Sequence, residues 1–278
     1  MGETSLLIFS ISIQAAVGIM IFAFIGEMLY KDQKFKTAAL AAAILGAIGI
    51  IASLMHLGHP LSAINVLSRF GNSWLSTEAV LSGIFAGIVI LYALVLYLKS
   101  ENKNLSLALS GIGGFLGLIV IFSMAKVYTT TSVSIWQGVN TFVDFYATTV
   151  VLGALFFLAS SIKQLKEIDK KIFLYSILAA VVLQAASSMP HILGLNEMGL
   201  AAQNSVHILN NFTVLVWAKW LLILGGAGLA LILLSANQSS KKANVNAFYT
   251  AGVALLFGQV IGRYLFYAAM VVINVGLV

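Results

Sequence analysis

Seven side chains or backbone breakers with chemical use fall within one short stretch: His56, His59, Pro60, Asn65, Arg69, Trp74 and Glu78. Long apolar runs flank them on both sides. The two histidines are three residues apart at the end of a helical run, so they share roughly one face. A metal site would need two further ligands, and neither an H-E-x-x-H pattern nor a carboxylate at helical spacing supplies them, so no metal is expected. Two axial groups on facing helices could hold a haem, and His56 and His191 are the pair available. His56 reads in two other ways: as a helix-end histidine bonded to a loop, or as the acceptor of a proton from a redox-active alcohol, since neutral imidazole titrates near neutral pH. Glu78 stands one turn into the next apolar run, where a carboxylate is costly unless paired or used. It either pairs with Arg69 or relays a proton. Asn65 and Trp74 complete the lining of a pocket, although Trp74 is also placed for an interfacial belt.

Farther along, Trp136 reads as a belt anchor and the run YTTTSVS at 128–134 as a solvated loop. Lys219 lies inside an apolar run and can snorkel outward. Arg263 lies inside the last one and is expected to face other helices, pairing with Asp144, Glu78 or a ligand oxygen. The Asn211-Phe212-Thr213 sequon is of a kind common by chance.

The elements that must position these groups follow from composition. The chain has 278 residues, 60% hydrophobic and 9% charged, with a mean hydropathy of +1.02. Soluble domains carry about 25% charged residues, so the class is an all-α integral membrane protein. Eight runs reach the length of a spanning helix, near 5–30, 37–57, 77–98, 105–128, 141–162, 172–193, 212–234 and 246–275. They are continuous rather than alternating, which excludes barrel strands. There is no cysteine, which excludes disulfides and Cys-ligated iron–sulfur clusters in this chain. The net charge of +6 reflects basic loops beside membrane spans and not a nucleic-acid partner. No Lys or Arg precedes the first apolar run, so the first helix is expected to be retained rather than cleaved as a signal.

Eleven of the fifteen basic residues fall in the connections after the first, third, fifth and seventh runs. The positive-inside rule makes these loops cytoplasmic and puts both termini outside. Arg69, Glu78, Lys126, Asp144, Lys219, Arg263 and the four histidines then occupy the outer level, with Glu27 the exception at the inner level. SLMHLG at 53–58 and SSMPHILG at 187–194 are similar, as are the placements of Lys126 and Arg263. This fits one polytopic domain over 1–278 with a weak repeat, 1–135 and 136–278, giving two parallel four-helix bundles. Small-xxx-small pairs at Gly83/Gly87, Gly113/Gly117 and Gly258/Gly262 are expected at helix contacts.

The chain resembles the membrane anchor subunit of dimethyl sulfoxide reductase, the DmsC family. The resemblance rests on His56, Leu57, Gly58, Pro60, Ala63, Asn65, Leu67, Arg69, Gly71, Ser73, Leu75, Ser76 and Glu78, and on the C-terminal Gly258, Gly262, Arg263, Phe266 and Tyr267. It implies an inner-membrane subunit that oxidises menaquinol and passes electrons to an iron–sulfur subunit beside a molybdopterin catalytic subunit. It also implies no haem. It places His56, Gly58 and Glu78 at or near the quinol site, together with Lys219. Lys219 stands where the family is expected to have arginine, and Gln259 where glutamate is frequent; the two cations are not equivalent donors.

The expected site therefore has His56 and Glu78 as proton-handling groups, with Gly58, Asn65, Arg69, Trp74, Lys219 and Arg263 around the quinol. The partners are expected on the outer face, sharing it with the site. A haem-bearing quinol anchor and a secondary transporter or ion channel are the rival readings. Transporters tend to interrupt helices and bind near the midplane, whereas here the ionisable groups gather at one level.

Overall fold

The computed structural model describes residues 2–55, 68–98, 102–235 and 241–271. Every regular element among them is helical: α1 (Gly2–Leu29), α2 (Lys36–Met55), α3 (Trp74–Leu98), α4 (Lys103–Thr129), α5 (Val139–Ser161), α6 (Glu167–Leu195), α7 (Leu200–Asn211), α8 (Thr213–Ser235) and α9 (Lys241–Ala268). A 3-10 turn, Ser134–Trp136, precedes α5. Eight of these helices are long and apolar enough to cross a membrane. The protein is a multi-pass membrane protein, and its outward side chains agree: Ile51, Phe115, Leu183 and Leu221 are all exposed apolar groups suited to lipid.

The eight spans match the eight apolar runs to within a few residues, except that the last helix ends at Ala268. The short α7 was not expected. At 12 residues it is too short to span, and its mixed sequence LAAQNSVHILNN buries only Ala202 and Ser205. Pro190 lies inside α6, which continues to Leu195. Having no N–H, it cannot supply the backbone donor that the Ala186 carbonyl would otherwise accept from.

The chain forms two compact units, residues 1–124 with 148–177, and residues 125–147 with 178–278. In the first, α1 is the core helix. Its Phe9, Ile13, Val17, Ile19, Met20 and Phe22 are all buried, as suits a helix hydrophobic on every side. It crosses α5 with almost no gap. A Cβ on Gly18 would lie 2.2 Å from the Thr149 carbonyl oxygen, and one on Gly153 would lie 2.3 Å from the Gly18 Cα. Val17 and Met20 fill the space over Gly117 and Gly113 of α4, so that pair is a helix contact as expected. Gly83 and Gly87 are not: nothing lies within 4 Å of where their Cβ atoms would be. The small side of α3 packs against no helix among the described residues.

In the second unit α8 and α9 pack closely. The Cβ positions of Gly226 and Gly258 lie 2.7 Å from Leu255 and 2.6 Å from Ile223. Gly262 makes room for Lys219, whose Cε would lie 3.0 Å from its Cβ.

Candidate functional site

In the first unit, a turn delivers Glu78 into the membrane. The Arg69 carbonyl accepts bonds from the N–H groups of Asn72 (3.0 Å) and Ser73 (3.2 Å). Gly71 takes φ +80°, which favours glycine. Its N–H donates to Thr77 Oγ1 at 3.2 Å, pinning the turn to the start of α3. Glu78 follows on a buried face, only 4% exposed, and Ser82, one turn later on that face, is 1% exposed. Glu78 Oε1 and Ser82 Oγ are both buried without a hydrogen-bond partner among the described residues. Arg69 is exposed and forms no ion pair with Glu78, so the structural role considered for that carboxylate is absent. Trp74 is 40% exposed, its ring edge-on to Phe122 at 6.1 Å. His56, Gly58, His59, Pro60 and Asn65 lie outside the described residues.

The second unit holds a buried polar cluster built by α5, α6 and α9. The Arg263 side chain is 1% exposed, and its Nη2 lies 3.3 Å from Asp144 Oδ2. Asp144 was one of the three partners expected for it. The guanidinium also stands 3.7 Å from the Phe145 ring centre and 5.2 Å from that of Phe266, so ring faces supplement the carboxylate. Gln184 donates to Asp144 Oδ1 at 2.7 Å and to Gln259 Oε1 at 3.1 Å, and Gln259 donates back to Gln184 Oε1 at 3.0 Å. This ties three helices together, each such bond in lipid being worth on the order of 1 kcal/mol. Lys219 on α8 is half-buried, its Nζ 4.9 Å from the Trp220 ring centre.

Beside this cluster an aromatic group closes the same end of the unit. Tyr128 meets Trp136, Phe145, Phe266 and Tyr267 at centroid distances of 5.1, 5.7, 5.2 and 5.7 Å. Trp136 is 7% exposed and donates from Nε1 to the Phe266 carbonyl at 2.7 Å. It is a core residue and not the belt anchor expected. The 3-10 turn folds its ring inward, where Phe266 offers both a stacking face and an acceptor. The run 128–134 is likewise only partly solvated, with Tyr128, Val133 and Ser134 buried. A His191 ring nitrogen lies 2.9 Å from the Ile135 carbonyl oxygen. No group of three or more His, Cys, Asp or Glu among the described residues could hold a metal.

Sequence reasoning overlooked Gln184, a lone amide in an apolar run. It also overlooked the partners of Glu27. In the first unit that carboxylate is 8% exposed and accepts from Tyr92 (3.0 Å), Ser110 (2.8 Å) and Ser106.

Eight spans with polar clusters held inside the two units suit a membrane anchor, and similarity over the whole sequence decides the family. Residues 1–269 match the family described as the DMSO reductase anchor subunit (DmsC). The chain belongs to this family. This DMSO reductase anchor subunit is 28% identical over 272 residues to the C subunit of anaerobic dimethyl sulfoxide reductase from Haemophilus influenzae, with 95% of the present sequence and 94% of that relative covered. It is equally 28% identical over 272 residues to the YnfH subunit of anaerobic dimethyl sulfoxide reductase from Escherichia coli K12, with the same coverage of 95% and 94%. The anaerobic dimethyl sulfoxide reductase C subunit of the same organism is 29% identical over 232 residues, 81% of the present sequence and 78% of that relative. As an anchor subunit of a DMSO reductase complex, the protein implies catalytic and electron-transfer partner subunits and a membrane to hold them.

Proposed function

We propose that this anchor subunit oxidises a membrane quinol, menaquinol by resemblance, and passes the electrons to an iron–sulfur partner beside a molybdopterin catalytic subunit. The observation that carries the reading is the pair on α3. Glu78 Oε1 and Ser82 Oγ are buried one turn apart and lack hydrogen-bond partners among the described residues. Burying such atoms unpaired costs about 1–3 kcal/mol each, more for a charged group. A cost of that size persists in a membrane helix when the groups have a ligand to meet.

Oxidising a quinol releases two electrons and two protons. Glu78 is suited to receive a proton from a quinol hydroxyl and release it to water near the α3 entrance. Ser82 is suited to bond an oxygen of the ring. His56, twenty-two residues before Glu78 in the sequence, would take the other proton. Gly58, Asn65, Arg69 and Trp74 belong to the stretch that would enclose the ring. Electrons leave for the partner, since this protein has no cysteine to ligate a cluster.

The charge pattern of the loops supports an inner-membrane setting with cytoplasmic basic loops and both termini outside, and the partner docks on the outer face beside the site. The sequence similarity between the stretches ending α2 and α6 supports two related halves, 1–135 and 136–278, within one membrane domain.

Binding of a fluorescent quinol-site inhibitor to membranes carrying the assembled complex tests this. Losing one buried hydrogen bond costs about 1–3 kcal/mol, so Glu78→Gln and His56→Ala should each weaken binding about 5- to 150-fold. Unchanged binding in both variants, with the partner subunits still attached, refutes the site.

A further inference from the structure

We propose that a cavity at the α1–α2 end of the first unit binds the phosphate of an anionic glycerophospholipid whose head group carries a hydroxyl. The cavity has a volume of about 380 Å³ and is walled by the end of α1, the turn after it, the end of α3 and the start of α4. Helix ends lie at the level where head groups meet the hydrocarbon. Three ammonium groups, Lys31, Lys34 and Lys103, line it against the single carboxylate of Glu27.

These charges are not equally available. Lys103 is bonded to Asp32, and its ammonium holds the Asp32 carboxyl below the usual carboxylate range. Glu27 is occupied from inside the bundle by three hydroxyls, with bonds to both of its oxygens. Lys31 and Lys34 have no ion pair among the described residues. Two uncommitted cations at a bilayer surface attract an anionic head group.

Two further features narrow the ligand. Gln33 Oε1 is buried in the cavity wall without a hydrogen-bond partner among the described residues. A lipid phosphodiester offers it no donor, but a head-group hydroxyl does. Met28, Leu96 and Leu107 give the cavity an apolar side, and Met28 is 57% exposed. Inorganic phosphate would leave that side unused, whereas the first methylenes of an acyl tail would cover it. A choline head group has no hydroxyl to give and no net negative charge.

Native mass spectrometry of the purified complex, titrated with phosphatidylglycerol, phosphatidylcholine or inorganic phosphate, tests the proposal. Phosphatidylglycerol should bind in preference to phosphatidylcholine and resist millimolar inorganic phosphate. Each surface lysine contributes on the order of a factor of five, so the double variant Lys31→Gln/Lys34→Gln should bind phosphatidylglycerol about 30-fold more weakly. Lys163→Gln/Lys171→Gln removes the same charge from the α5–α6 junction and should leave binding unchanged. Gln33→Leu should lower phosphatidylglycerol affinity about 2- to 12-fold. Equal binding of the two lipids, equal loss in both double variants, no loss in Lys31→Gln/Lys34→Gln or no loss in Gln33→Leu overturns the proposal. Displacement by inorganic phosphate overturns it too, and identifies a free-phosphate site. None of these readouts depends on quinol oxidation.

Discussion

Replacing Asp144 by asparagine should destabilise the second unit through the charge left behind on Arg263. The pair stands at 3.3 Å, with the arginine side chain 1% exposed and the aspartate 14%. At that distance and an effective dielectric of about 20, the attraction is about 5 kcal/mol. Asp144 keeps some access to solvent, and the rings of Phe145 and Phe266 still face the cation. We therefore expect a loss of about 3 kcal/mol, the lower end for breaking a buried pair. For a domain of this size it lowers the melting midpoint by about 6–12 °C. Fluorescence-detected size-exclusion chromatography of heated, detergent-solubilised protein measures it. Adding Arg263→Gln to the variant removes the stranded charge, so the double variant should melt higher than Asp144→Asn alone. The coupling should reach about 2–3 kcal/mol. A double variant whose loss equals the sum of the two single losses would refute the argument and leave the amide bonds of Gln184 and Gln259 as the reason for the cluster.

Other substitutions probe separate contacts. Gly18→Ala puts a methyl group 2.2 Å from the Thr149 carbonyl oxygen and should cost about 3 kcal/mol or more by forcing α1 from α5, while Gly87→Ala should leave the same melting curve unmoved. Tyr92→Phe removes one of three donors to the Glu27 carboxylate and should cost about 1.5–3 kcal/mol if that carboxylate is charged; an unchanged midpoint would mean the two serines suffice. Ser82→Ala deletes a hydroxyl without a partner among the described residues, so its melting midpoint should hold while inhibitor affinity falls, and a fall in both would mean the hydroxyl serves the fold. The depressed carboxyl of Asp32 favours folding above its unfolded value near 3.8 and loses that effect as pH falls through the lower folded value. Because the Asp32–Lys103 pair is exposed, Asp32→Asn should not alter the melting midpoint at pH 7 in high salt.

The spans were legible because a bilayer demands about twenty apolar residues in a row and no other solution competes. Helix α7 was not, because nothing about twelve residues of mixed polarity distinguishes a short helix from a loop. The Arg263–Asp144 pair was legible as one of three choices, since few carboxylates share its level. Gln184 was not, because an uncharged amide in an apolar run carries no sign of what it will meet. Glu27 was visible as an oddity, but its three donors lie 65, 79 and 83 residues away. Trp136 shows statistics misleading a reading: belts collect tryptophans at span edges, yet here a three-residue turn rotates the ring into the core.

The slot that Gly262 opens for Lys219 ties two properties that are usually separate. The lysine stem lies flat across the backbone of α9, its Cδ and Nζ each 3.4 Å from where a methyl group would stand. The position of this ammonium is therefore gauged by the distance between two helices. Anything that wedges α8 from α9, even by the thickness of a methyl group, relocates a positive charge. In this corner of the protein, mechanical spacing is read out as electrostatic potential.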